Sequence, residues 1–189
     1  LRRQRRKRVG LPMVSIVGYT NAGKSTLLNR MTRSTVDAED KLFATLDPTS
    51  RRMRFPRDKE VILTDTVGFI RALPKELIQA FRSTLEEVVE ADLLLHVIDS
   101  SSTEAVAHFE AVEKVLKELG VSDTTQIVVL NKIDSQSEEE RMEAQTLFRG
   151  YPCSALTGEG LMPLMTAIES TLFLNEKQKQ SDQPENQAL

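Results

Sequence analysis

The sequence contains no tryptophan, one cysteine and two histidines, and aromatic side chains make up only 5% of its 189 residues. A single cysteine, Cys153, excludes an internal disulfide framework. No signal-peptide pattern and no apolar run of about 18 residues is present, so a secreted or membrane-spanning class is not indicated and a reducing, cytoplasmic setting is expected. Cys153 reads as buried filler and not as a nucleophile. His96 falls in a buried strand pattern and His108 in a helix pattern, so both read as packing residues and not as ligands or bases. With 40% hydrophobic and 28% charged residues, the chain can bury a core without staples, as one globular domain and, by expectation, a monomer. It opens on Leu1, which suggests a piece of a longer protein.

Positive charge is scarce outside the first eight residues. Arg2, Arg3, Arg5, Arg6, Lys7 and Arg8 carry six charges there, leaving 19 basic against 28 acidic side chains, a balance of −9 for the rest. A solvated helix end and a phosphate-seeking arm fit such a run equally, and an RNA partner would give the arm something to neutralise. The acidic body argues against broad nonspecific binding of nucleic acid.

What the chain does have is Gly18-Tyr19-Thr20-Asn21-Ala22-Gly23-Lys24-Ser25, a complete P-loop between the apolar run Met13 to Val17 and a helix from about Lys24 to Arg33. Glycines at both ends let the backbone fold round a phosphate. Lys24 then reaches the β- and γ-phosphates, Ser25 offers its hydroxyl to Mg²⁺, and the helix that continues through Thr26 adds its positive end. Residues 34 to 50 have no period and contain Pro48, as expected of a functional connection. Arg51 to Phe55 alternates like a hairpin partner of Val61-Ile62-Leu63. Leu77, Phe81, Leu85 and Val88 predict a helix from about Lys75 to Glu90.

Leu93 to Ile98 and Ile127 to Leu130 are nearly continuous apolar runs, the mark of strands buried on both faces in the middle of a parallel sheet. Between them Ser101 and Glu104 suggest a capping box, ahead of a helix whose inner face is Val106, Phe109, Val112, Leu116 and Leu119 and which stops near Gly120. Ser137 with Glu140 repeats the box for a helix through about Phe148. Leu161, Leu164, Met165, Ile168 and Leu172 form a last stripe, and Asn175 to Leu189 reads as a disordered tail. Alternating strands and helices imply an α/β fold, a mostly parallel central sheet with helices on both faces and ligands at the carboxyl ends of its strands.

Three stretches fall where strands should end. Asp65-Thr66-Val67-Gly68 places a carboxylate for Mg²⁺ and, at Gly68, an N–H that no side chain keeps from a γ-phosphate. Asn131-Lys132-Ile133-Asp134 suits guanine: one carboxylate, Asp134, accepts the N1–H and N2 amine together, whereas adenine presents a lone pair there. Lys132 can lay its stem along the base and Asn131 can tie this loop to the P-loop. Ser154-Ala155-Leu156 is placed to give a backbone N–H to the guanine carbonyl.

With these residues quoted, the chain resembles the HflX family of ribosome-associated GTPases, in the wider Obg-related group of Ras-like G domains, from about Val14 to Phe173. Besides the P-loop with Thr26, the resemblance rests on Leu42-Phe43-Ala44-Thr45-Leu46-Asp47-Pro48-Thr49, on Asp65-Thr66-Val67-Gly68-Phe69-Ile70, and on Ala80-Phe81-Arg82-Ser83-Thr84-Leu85-Glu86-Glu87. It implies a Ras-like P-loop G domain over residues 11–174, after a basic remnant of an upstream domain or linker at 1–10 and before a tail at 175–189. It implies that Thr45, flanked at the nucleotide by Phe43, Ala44, Leu46 and Asp47, is the switch threonine completing the Mg²⁺ shell of Ser25 and Asp65. Lys24, Thr45 and Gly68 then serve hydrolysis. Family members bind GTP and GDP, hydrolyse GTP and associate with the large ribosomal subunit, and several are linked to splitting or rescuing stalled ribosomes.

The family's large N-terminal domain is absent from this sequence, and the glutamine that Ras-like enzymes place after D-x-x-G is replaced by Phe69. Intrinsic turnover is therefore expected to be slow. Asn21 stands where related G domains hold a K⁺ ion, so a K⁺ site is permitted. A GTP-binding module with negligible turnover stays open as an alternative. An ATP-dependent phosphotransferase conflicts with Asn131 to Asp134. Residues 38 to 50 and 66 to 75 are expected to change order with the γ-phosphate.

Overall fold

The computed structural model describes residues 10–33, 50–55, 58–65 and 87–181. Six strands form one sheet in the order β2-β3-β1-β4-β5-β6. They are β1 (Met13–Gly18), β2 (Ser50–Arg54), β3 (Glu60–Asp65), β4 (Leu93–Asp99), β5 (Gln126–Asn131) and β6 (Tyr151–Pro152). Among the described residues the helices are α1 (Lys24–Arg33), α2 (Ala105–Glu118), α3 (Glu138–Phe148) and α4 (Leu161–Ser181), with a short 3₁₀ turn at Ile133–Ser135. Among the described strands only β2 runs antiparallel, as the hairpin partner of β3. All other neighbours are parallel.

Alternation along the strands divides the core in two. Val14 and Ile16 of β1, Leu93, Leu95 and Val97 of β4, and Ile127 and Val129 of β5 pack with Leu27, Leu28 and Met31 of α1 and Leu164, Met165 and Ile168 of α4. On the opposite face Val17 and Leu94 pack with Val112, Val115 and Leu116 of α2. Ile98 and Leu130 meet Ala105 and Ala144, with Phe109 and Phe148 against them. Every residue of β1, and all of β4 before Asp99, is buried, which is why these strands read as unbroken apolar runs.

Parallel pairing brings the carboxyl ends of five strands to one edge. Ile16 is level with Asp65, Gly18 with Val97, Asp99 with Asn131, and Leu130 with Pro152. The chain leaves β1 for β3 on one side and returns to β4 on the other, so the loop after β1 lies at the point where strand order reverses.

Three expectations need correction, and one strand was not expected. Ser101 and Glu104 form no capping box: α2 begins at Ala105, Ser102 Oγ takes the Glu104 amide, and Ser101 turns back to Asp99. Val106 is exposed, and Ala105 and Val115 take the inner positions. The helix meant to end near residue 174 continues to Ser181, so 175–181 are not an unstructured tail; Glu, Lys and Gln are good helix formers and no glycine or proline interrupts them. Tyr151–Pro152 adds a sixth strand too short to show any period. The box at Ser137 and Glu140 is present, with both reciprocal bonds. The helix expected over 75–90 lies outside the described residues except for its end, where Val88 is buried.

Candidate functional site

The loop after β1 is shaped by what its neighbours leave room for. At Gly18 an added Cβ would collide with the Val97 carbonyl of β4, and at Gly23, whose φ is +92°, it would collide with the Asn131 side chain. Asn21 also adopts a left-handed conformation, with φ 62°, a region asparagine tolerates better than most residues. Lys24 folds back so that its buried Nζ donates to the Tyr19 carbonyl at 3.0 Å. Burial lowers its pKa, and the charge of Asp65 opposes that shift. An ammonium held on one neutral carbonyl in a dry position gains from an anion brought within its reach.

At the other end of this loop Ser25 Oγ donates to Asp65 Oδ2 across β1 and β3. The second carboxylate oxygen, Oδ1, is buried and has no hydrogen-bond partner among the described residues. A hydroxyl beside a carboxylate with an unspent lone-pair set fits a hydrated Mg²⁺, a hard cation that takes oxygen ligands. Phe43, Ala44, Thr45, Leu46, Asp47, Thr66, Val67 and Gly68 lie outside the described residues.

The carboxyl end of β5 forms the third part. Asn131, almost fully buried, donates from Nδ2 to the Ala22 carbonyl at 2.8 Å and accepts at Oδ1 from the Ala155 amide at 2.9 Å. One side chain therefore joins the P-loop, the end of β5 and the loop after β6, a three-way tie of which sequence suggested the first half. Lys132 is left-handed, with φ 69°, and Ile133 is buried beneath the 3₁₀ turn. Asp134 in that turn is exposed and makes no hydrogen bond or ion pair among the described residues, which leaves its carboxylate free to accept from a ligand.

The loop at Ser154-Ala155-Leu156 is more constrained than its sequence suggests. The Ser154 amide goes to the Glu159 carbonyl, and the Ala155 amide to Asn131. Arg30 of α1 donates to the carbonyls of Ala155, at 3.1 Å from Nε, and of Leu156. The exposed Leu156 thus carries the loop's amide without a partner among the described residues, the one available to a carbonyl ligand. Arg141 of α3 braces the same region, with Nε on the Ile133 carbonyl at 3.0 Å and one terminal nitrogen on Glu159 at 2.9 Å.

Three residues here were not predicted, Arg30, Arg141 and Asp99, and neither was the contact between Tyr19 and His108. Asp99 accepts from Lys132 Nζ at 2.6 Å. Burial opposes ionisation of its carboxyl, yet hydrogen bonds from Lys132 and Ser101 outweigh burial and hold its pKa below the ordinary range. The Tyr19 ring stacks on His108 of α2, with centroids 3.9 Å apart, closing the P-loop's outer flank over a cavity of about 200 Å³. His96 stacks on Phe109 and bonds Glu113 at 3.0 Å, so both histidines pack as expected. Cys153 is buried and its thiol is pushed up to about 12, which removes any thiolate role at neutral pH. Among the described residues no helix is long and apolar enough to cross a membrane.

The family model described as 50S ribosome-binding GTPase matches residues 13–132. GTPase HflX of Caldanaerobacter subterraneus subsp. tengcongensis is 54% identical over 173 residues, covering 92% of this chain and 40% of that protein. GTPase HflX of Escherichia coli K12 is 47% identical over 174 residues, covering 90% and 41%. The chain thus spans about two fifths of the length of the curated relatives it matches. Among solved structures, a GTP-binding protein from the archaeon Sulfolobus solfataricus in complex with GDP superimposes with a TM-score of 0.67 at 30% identity, covering 90% of this chain and 55% of that one. Aquifex aeolicus Era bound to GDP.AlF4- gives 0.66 at 25% identity, covering 86% and 57%.

Proposed function

This chain belongs to the 50S ribosome-binding GTPase family, and from that premise we propose that it is the nucleotide-switching part of an HflX-type GTPase. In this reading it binds GTP or GDP with Mg²⁺, hydrolyses GTP to GDP and phosphate, and serves a cytoplasmic protein that associates with the large ribosomal subunit in splitting or rescue. Its relatives carry the name GTPase HflX, and its structural neighbours include domains solved with GDP.

The observation that carries the proposal is the position of Asn131. It holds Ala22 of the P-loop and Ala155 of the loop after β6 together, which supports reading the two loops as the phosphate cradle and base rim of one pocket. Within that pocket, Lys24 is the group to neutralise β- and γ-phosphate charge, and Asp134 the acceptor for the guanine N1–H and N2 amine. Ser25 and Asp65 would hold Mg²⁺, with Thr45 as the further ligand that the family resemblance supplies. When bound, the metal contributes charge neutralisation across the phosphates. Gly68 offers its amide to the γ-phosphate.

Phe69 in place of a glutamine supports slow intrinsic hydrolysis, since its side chain cannot orient water. Stimulation is then the role of the ribosome. Phosphate release over many turnovers, measured with GTP and ATP side by side and with or without large ribosomal subunits, tests the reading. Release from GTP alone, faster with subunits present, is expected. Binding of GTP without release in either condition would replace the enzyme with a sensory binding module, and equal use of ATP would overturn the base assignment.

A further inference from the structure

Resting on that guanine-nucleotide reading, we propose that Asp99 is a positioning residue for base recognition, acting through Lys132. Lys132 leaves β5 in a left-handed conformation, and its ammonium lies 2.6 Å from Asp99 Oδ2 at the end of the neighbouring strand β4. Asp99 and Asn131 are level in the sheet, so the lysine stem is drawn sideways across two strand ends instead of extending into solvent. The other carboxylate oxygen, Oδ1, accepts from the Ser101 amide at 3.1 Å and from Ser101 Oγ at 2.6 Å. Asp99 is therefore fixed from behind before it receives the lysine; its side chain is 21% exposed and that of Lys132 37%.

A free lysine side chain samples many rotamers, and ordering it at the moment of binding costs affinity. Anchored at both ends, the four-carbon stem becomes a preformed apolar strip beside the Asn131 and Asp134 positions, of the kind a purine ring can lie against. The strip meets the face of the base, whereas Asp134 reads its edge. Asp99 should consequently matter to any purine nucleotide seated there, and not to the contact that distinguishes guanine.

The test uses GDP and IDP dissociation constants for the wild-type chain, Asp99→Ala, Lys132→Met and the double variant, with Asp134→Asn as reference. Inosine keeps N1–H but lacks the N2 amine. Asp99→Ala is expected to weaken both nucleotides by the same factor, about three- to tenfold. Lys132→Met keeps a stem but removes its anchor, so the double variant is expected to bind no more weakly than Lys132→Met alone. Asp134→Asn should weaken GDP more than IDP. Should Asp99→Ala fold poorly, Asp99→Asn is measured in its place, because it keeps the Ser101 turn while removing the charge.

Asp99 effects that multiply those of Lys132→Met, or no effect of Asp99 at all, would overturn the inference. If the wild-type chain fails to bind GDP, or Asp134→Asn leaves GDP binding unchanged, the guanine reading falls instead, and the two failures are separate.

Discussion

Asn131 carries more of the site than any other single side chain, and its effect can be separated from that of its neighbours. It is buried, with both polar atoms satisfied, and its removal strands the Ala22 carbonyl and the Ala155 amide, both on buried residues. Asn131→Ala should therefore cost about 1–3 kcal/mol of folding stability even without nucleotide. Chemical denaturation of the nucleotide-free chain checks that figure. GDP affinity should fall further than the stability loss alone explains, because the rim is no longer held to the cradle. A variant as stable as wild type would show that water replaces the tie. Asn131, Lys132 and Asp134 were legible in sequence because they fall in one short motif after a buried strand, although Asn131 reaches partners 109 and 24 positions away. Asp99 and Arg30 were not, since they belong to no such motif and their partners lie 33 and 125 positions away. Only the register of β4 against β5, and the packing of α1 below the loop after β6, brings them into reach.

Helix ends were read unevenly, for a reason visible in the caps themselves. Ser137 and Glu140 make both bonds of a capping box, whereas the same spacing at Ser101 and Glu104 makes neither. The second serine is diverted, because Asp99 at the end of β4 offers a charged acceptor two residues away. Ser137→Ala should accordingly destabilise the domain by about 1 kcal/mol, seen as a lowered melting temperature, while Ser101→Ala leaves the helicity of α2 unchanged by circular dichroism. Equal losses of helicity would mean that the cap geometry does not govern either helix.

A second link between elements is sensitive to pH. Glu113 of α2 receives the His96 ring of β4 and the Gln126 amide of β5. The His96 hydrogen bond is the main reason its pKa lies below the ordinary 4.5, with burial opposing and Gln126 assisting. A carboxyl depressed in the folded state adds stability above its ordinary pKa and loses it as pH falls through the lower folded value. Glu113→Gln should thus lower stability at pH 7 and converge with wild type once the medium is acid enough to protonate the folded carboxyl. Denaturation midpoints between pH 7 and pH 3 give the comparison. A constant difference across that range would assign the effect to packing and not to charge.

Over the whole molecule, the fold class was the most legible feature because burial on both faces leaves an unbroken apolar signature in β1 and β4. The sheet order was less so, since it depends on which strands pair and not on what any strand contains. That order sets Gly18, Asp65, Asp99 and Asn131 along one edge, and the residue after Gly68, Phe69, has no polar group with which to orient an attacking water. Asn21 is a further polar side chain of the P-loop apex. It is exposed, left-handed, and free of partners among the described residues. A monovalent cation held there would stabilise charge developing between the phosphates, as an arginine does in other G domains. Exchanging Na⁺ for K⁺ at constant ionic strength should then speed GTP hydrolysis by the isolated chain by about tenfold, equivalent to about 1.4 kcal/mol of barrier. Asn21→Ala should abolish the difference between the salts while leaving GDP affinity intact, because the proposed ion acts on the transition state and not on the diphosphate. Identical rates in the two salts would reject the ion and leave ordering by the ribosome as the source of activation.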